Sequence, residues 1–399
     1  MTKGYNMRSQ STWYWTFLLL TVALLRAPCA SAGAGTGLLA HSSVSNGVAC
    51  IVNFGDGTAA LELARRSGFL VLAIDPVEQN VVGLRRKAIE VGLFGRSLYV
   101  KQGGADRIPF ADKYVDLLIL NELTRDDLTE SLAAEVSRVL TPIHGTALLG
   151  GVDEQAARTW IGTKSPGIGV CAIHDSPFTL KLRKAQLQGS DWWPHKLHGP
   201  DNNPVSTDTN FQFPPLTQYR ALPMYTPTHG AGLADEGIVI QIEGWRFRRT
   251  WMSSLCGKII ARNAYNGRIL WTAMAPRDHM AEAPTVAIQN GTLFIGSGEM
   301  PEVACYDIRT GAKQPAIPVG TGEQRVRWLA GKDGVLYVLL GGPAEHKPYS
   351  FYVPPVKSQI EEKTLFGREL IAWDLEAGKP LWRHREPVKI DYRNIAVTD

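Results

Sequence analysis

Apolar runs and amphipathic stretches alternate along the first half of the chain. "VACIVNF" (48–54) precedes a helical pattern at 58–67, and "FLVLAID" (69–75) precedes another at 77–92. "SLYVK" (97–101) and "YVDLLILN" (114–121) follow, then a helical stretch near 127–140 and "GTALLG" (145–150). Uninterrupted apolar strands separated by helices predict a doubly wound parallel sheet covered on both faces. Its first strand-to-helix turn is the place for a ligand crevice.

The pattern changes in the second half. Short strands there are separated by polar turns, and three stretches align: "IIARNAYNGRILW" (259–271), "VACYDIRTGAKQP" (303–315) and "LIAWDLEAGKPLW" (370–382). Their turn glycines, Gly267, Gly311 and Gly378, are 44 and 67 residues apart. A period near 44 predicts four-stranded propeller blades, the longer interval holding an insertion. Each blade should also carry an earlier hairpin, and "PTVAIQNGTLFIGSG" and "RWLAGKDGVLYVLLGG" supply Asn-Gly and Asp-Gly turns. The closing "RNIAVTD" reads as the first strand of another blade, so the ring is expected to be incomplete and the chain a fragment. The alternative to a fragment is an open arc that self-associates or is covered by a partner.

At the N-terminus, Lys3 and Arg8 precede the apolar stretch Trp13–Leu25, with Ala30-Ser31-Ala32 beyond it. A bilayer span takes roughly 20 residues, so this reads as a cleaved signal peptide and predicts a periplasmic or extracellular protein with no membrane span after cleavage. The domains are therefore 1–32 signal peptide, 46–186 α/β domain, 187–230 junction and 231–399 propeller blades. The formal charge of +4, without a Lys/Arg run, gives no reason to expect nucleic acid as a partner. Cys50, Cys171, Cys256 and Cys305 are far apart and form no C-x-x-C pair; Cys50, in an apolar run, reads as core.

Asn53-Phe54-Gly55-Asp56-Gly57-Thr58, Asp75 at the end of strand two, "ADRIPFADKYVDLLILNEL" and "EVSRVLTPIHG" occur in order. In these motifs the first half resembles class I S-adenosylmethionine-dependent methyltransferases. The resemblance implies cofactor contacts at Asn53, Gly55, Gly57 and Asp75, the last to ribose hydroxyls. It also marks departures: Asn53 stands where the family has an acid, Gly104 where it has the adenine-contacting acid, and Pro142-Ile143-His144-Gly145 where it has Pro-Gly-Gly. A neutral amide cannot form the charge-assisted bonds of an acid. Export would also separate the domain from a cytoplasmic cosubstrate.

The repeats, best kept in Asp374–Trp382, resemble the propellers of pyrroloquinoline-quinone (PQQ) dehydrogenases, in which the tryptophans dock neighbouring blades. Trp271 and Trp382 match, while Pro315 replaces the middle one. The pairing of both halves resembles exported bacterial proteins of planctomycete type. No adjacent cysteines or calcium-binding set accompany the repeats, so a quinone is not expected. The reading is a binding or scaffold protein with a degenerate methyltransferase-like domain and no catalytic residue assigned. A methyltransferase with weak cofactor binding and a quinone oxidoreductase module are the alternatives. No cofactor is expected, with S-adenosylmethionine the alternative.

"DWWPHKLHGPDNN" gathers Asp191, His195, His198 and Asp201 within eleven residues. These are ligand types for zinc, but Pro194 and Gly199-Pro200 limit any helix to one turn. The expectation is a linker whose two histidines face different surroundings. His144, His174 and His229 receive no role.

Overall fold

The computed structural model describes residues 39–41, 45–164, 167–172, 178–210, 231–242, 257–276, 285–297, 300–342 and 366–398. The expected signal peptide, His174, Cys256, the inserted segment at 343–365 and residues 211–230, which include His229, lie outside the described residues.

The first half is built from β1 (Asn46–Val52), α1 (Thr58–Arg66), β2 (Gly68–Asp75), α2 (Glu78–Glu90), β3 (Leu98–Gln102) and β4 (Leu117–Leu120), followed by α3 (Glu130–Val139), β5 (Thr146–Leu149), α4 (Glu154–Lys164), β6 (Ile168–Ala172) and β7 (Leu180–Lys184). The strands form one sheet in the order β3-β2-β1-β4-β5-β7-β6. β1 to β5 pair in parallel, and β7 runs antiparallel to β5 and β6. The apolar runs are continuous because both faces are covered: Val48, Ala49, Cys50, Ile51 and Val52 are fully buried. Helix spacing supplies the cover. Ala60, Leu63 and Ala64 of α1 face the sheet, as do Leu132, Ala133, Val136 and Val139 of α3. α3 starts three residues later than its periodicity suggests, because Thr129 accepts a hydrogen bond from Leu132 N and caps it there.

The second half forms three four-stranded antiparallel sheets. Sheet one contains β8 (Ala231–Asp235), β9 (Ile238–Ile242), β10 (Lys258–Asn263) and β11 (Ile269–Met274). Sheet two contains β12 (Val286–Gln289), β13 (Thr292–Gly296), β14 (Val303–Asp307) and β15 (Lys313–Ile317). Sheet three contains β16 (Arg325–Lys332), β17 (Val335–Gly341), β18 (Phe366–Asp374) and β19 (Lys379–Asp391). In each, consecutive strands are neighbours. The tight hairpins sit at Glu236-Gly237, Asn290-Gly291 and Asp333-Gly334, all with positive φ at both residues. The first escapes notice in the sequence because Glu is uncommon in that conformation.

The first strands of the sheets, β8, β12 and β16, lie against one another in succession. Trp271 links sheets one and two: its indole N–H donates to Ile308 O at 2.7 Å. Its ring lies so near Gly311 that a Cβ there would come within 2.6 Å.

The end of the chain departs from expectation. Tyr392–Asn394 form a 3-10 turn, and the residues after it join no sheet. Tyr392, Ile395 and Val397 instead pack, with Tyr337 and Leu370, on Trp328, Ala330 and Leu339 of sheet three. The face expected to be bare is thus partly covered by the chain's own tail. Burying these apolar side chains there is the physical reason the segment does not behave as a free strand.

Candidate functional site

β1 ends at Val52, and the chain turns through Asn53 (φ 55), Gly55 (φ 61) and Gly57 (φ 77) into α1. β1 lies between β2 and β4, so this turn stands at the switch point of the sheet. Asn53 uses its side chain to close that point: its Nδ2 donates to Asn121 O, just beyond β4, at 3.0 Å. A carboxylate has no hydrogen to donate and could not make this strap.

Asp75 at the end of β2 is buried. One oxygen accepts from Gly55 N at 3.1 Å, the other from Val77 N at 2.9 Å and Asn80 Nδ2 at 3.1 Å. Three of the roughly four acceptor positions of a carboxylate are therefore filled by the chain. Gly57 is required by packing, since a Cβ there would come within 2.5 Å of Leu84 Cδ1 of α2. Gly55 is different: among the described residues nothing lies within 4 Å of where its Cβ would project. After β3, the carboxylate Oδ1 of Asp106 sits 3.0 Å from a Cβ built on Gly104. At this turn the Asn53 amide and both Asp75 oxygens are already hydrogen-bonded within the chain.

The junction residues divide into two environments. His198 Nε2 meets Asp191 Oδ2 at 2.8 Å, with the imidazole edge-on to Trp193 at 5.1 Å between centroids. Asp191 is partly buried, which opposes ionisation, yet bonds from Thr207 N, His198, Trp192 N and Ser206 hold its carboxyl well below the usual range. Asp201 caps a turn by accepting from Asn203 N at 3.2 Å. His195 points elsewhere: it is buried, and its Nε2 accepts from Gly331 N of β16 at 3.1 Å. That bond requires the neutral ring, and burial pushes its pKa down to about 4. Among the described residues, no three His, Cys, Asp or Glu side chains gather as a metal site.

The junction also runs along the first strands of the sheets. Trp193 exchanges backbone bonds with Ala234 of β8 at 2.9 and 2.8 Å. Pro194 O accepts from Ile288 N of β12 at 2.8 Å, and Pro200 O from Val397 N at 3.0 Å. A cavity of about 80 Å³ remains beside it, lined by His195, Asn202, Trp328 and Tyr392 among others.

Asp116 at the entrance to β4 had no role in the sequence reading. It is fully buried and joins the two halves. Its Oδ1 accepts from Asn263 Nδ2 at 2.7 Å and Thr141 Oγ1 at 3.0 Å; its Oδ2 accepts from Asn266 Nδ2 and Val48 N, both at 2.8 Å. Burial raises its carboxyl to about 6, although the bonds from Val48 N, Asn266 and Thr141 and the charge of Arg268 pull the other way. His144, also left without a role, is buried against the Glu236-Gly237 hairpin of sheet one, and burial lowers its pKa. The available signals were a lone acid opening an apolar strand and an Asn-x-x-Asn turn in "RNAYNG".

Residues 49–143 match the family model described as a methyltransferase domain. Over those residues the α/β half is similar to methyltransferase domains. Among solved structures, mmp1179 from Methanococcus maripaludis is 16% identical over 39% of this chain and 84% of its own, with a TM-score of 0.31. YcgJ from Bacillus subtilis is 14% identical over 35% of this chain and 70% of its own, at a TM-score of 0.30. A SAM-dependent methyltransferase from Aquifex aeolicus is 17% identical over 34% and 80%, at 0.28. No curated protein matches the chain.

Proposed function

We propose that the chain is an exported binding or scaffold protein, in which a methyltransferase-like domain with a degenerate cofactor crevice is joined to an arc of quinoprotein-like propeller blades. The observation that carries the degenerate reading is the pairing of Asp75 with Gly55 N, Val77 N and Asn80, with Asn53 strapped to the Asn121 carbonyl. A ribose would have to displace bonds the chain already makes, with no acid at position 53 to hold the cofactor's amino group. The propeller reading is supported by the adjacent first strands and by Trp271 seated on the next sheet. Export rests on the pattern of residues 1–32.

A quinone seat at the centre of the arc is disfavoured. The junction runs there, and the cavity beside it, about 80 Å³, is well short of the ~300–1,000 Å³ of ordinary ligand pockets.

Isothermal titration of the full chain with S-adenosylmethionine tests the crevice. The expected result is no binding in the micromolar range, and Asn53→Asp should not restore it, because that change also removes the strap. Micromolar binding by the wild type would replace this reading with the second one, a methyltransferase with weak cofactor binding. Two observations favour that alternative: the open space over Gly55, and Asp106 placed near the position of the missing acid.

A further inference from the structure

Sheets one and two meet through a contact with two halves, an indole and a turn. The indole is Trp271. The turn is Asp307–Gly311, in which Asp307 O accepts from Gly311 N at 2.8 Å and Asp307 Oδ1 accepts from Arg309 N and Thr310 N at 3.0 and 2.7 Å. Ile308 N donates back to Gly291 O at 2.9 Å, leaving its carbonyl directed at the indole.

Sheet three repeats the backbone and aspartate bonds of that turn, without the Thr310 hydroxyl bond to Asp307. Asp374 O accepts from Gly378 N at 3.0 Å, Asp374 Oδ1 accepts from Glu376 N and Ala377 N at 2.9 Å each, and Leu375 N donates to Gly334 O at 3.0 Å. Gly378 has φ 64, against 73 for Gly311. The difference lies above the glycine: the Cβ position of Gly311 is filled by an indole, and that of Gly378 has nothing within 4 Å among the described residues. Sheet two carries Pro315 at the position from which an indole would arrive.

Sheet three also carries an unmatched indole. Trp382 occupies the repeat position of Trp271, is 44% exposed, and lies 6.3 Å from Tyr337 of its own sheet. Leu381 and Val388 on the same strand are 52% and 66% exposed. β19 exposes Lys379 and Arg385, while Arg383 is paired with Glu369 at 3.0 Å and Glu386 with His384, and the turn exposes Glu376. One chain thus holds both halves of a contact it makes elsewhere, with complementary charge around them.

We propose that two copies of this chain associate through sheet three, each placing Trp382 against the Asp374–Gly378 turn of the other. The indole N–H would donate to the Leu375 carbonyl, and the ring would cover Gly378, as Trp271 does with Ile308 and Gly311. The inference rests on the repeat geometry and is independent of the cofactor reading above.

Light scattering of the full chain across a wide concentration range tests it, with Trp382→Ala and Gly378→Asn as variants. Asn tolerates positive φ, and the space over Gly378 accepts its side chain without clash. The expected result is a monomer–dimer equilibrium that either substitution weakens by about 1,000-fold, since each removes both symmetry-related contacts and one aromatic anchor accounts for about 30-fold. Mixing the two variants should restore part of the association, because one indole and one open turn remain. A wild type that is monomeric throughout would overturn the proposal. So would association that neither substitution alters, as expected if the apolar Trp13–Leu25 segment causes it.

Discussion

Asp116→Ala is expected to destabilise the protein by about 3–5 kcal/mol, since it leaves four buried donors around one removed carboxylate. The donors come from both halves. Val48 N and Thr141 Oγ1 belong to the methyltransferase-like domain, and Asn263 and Asn266 to the β10–β11 turn of sheet one. Some loss is recovered if the amides turn towards water, which limits the figure to a fraction of four full desolvation costs. Asp116→Asn should cost less, because the remaining amide oxygen still accepts while its NH2 faces donors. Denaturant unfolding followed both by circular dichroism and by tryptophan fluorescence measures this. A loss below about 1 kcal/mol for the alanine variant, the size of one ordinary hydrogen bond, would mean the carboxylate is not what joins the halves.

The second large effect is a pair of opposed pH dependences. Asp116 has a folded pKa of about 6 and an unfolded one near 3.9. Between those values the folded chain holds a proton that the unfolded chain has released, so this group's contribution to stability falls as pH rises. His195 runs the other way. Its folded pKa is about 4 and its unfolded one near 6.5, so the unfolded chain holds the extra proton and stability rises with pH across that window. Each contribution is about 3 kcal/mol, so the two nearly cancel between about pH 4 and 6.

Charged groups facing them act in the folded chain. Arg268 draws Asp116 down; His198 draws His195 down and Asp201 draws it up. Relative to wild type, His195→Gln should lose stability with rising pH in this window. Asp116→Asn should gain it. Urea titrations at several pH values, read as differences from wild type, measure both. Curves parallel to wild type for both variants would remove these residues as the titrating groups.

Much of the fold was legible along the chain because it rests on short-range regularities. Uninterrupted runs such as Val48–Val52 require burial on both faces, which only a covered parallel sheet provides to consecutive strands. The Asn290-Gly291 and Asp333-Gly334 hairpins were readable because few residues tolerate two successive positive φ values. The first hairpin was missed where Glu236 took that conformation. The crevice was legible as a turn, but its condition was not. Whether Asp75 is free or satisfied depends on Gly55, Val77 and Asn80 in three dimensions.

The sequence by itself determined the covered parallel sheet, the repeated antiparallel hairpins and the position of the switch-point turn, since each follows from local periodicity or from backbone conformations few residues adopt. Only the tertiary structure decided the rest. Asp116 finds Asn263 nearly 150 residues away, His195 accepts from Gly331, and the segment after Tyr392 lies on sheet three instead of pairing as a strand. These are long-range choices in which a buried polar group takes whatever donor the packing brings to it. No spacing along the chain encodes such a partner.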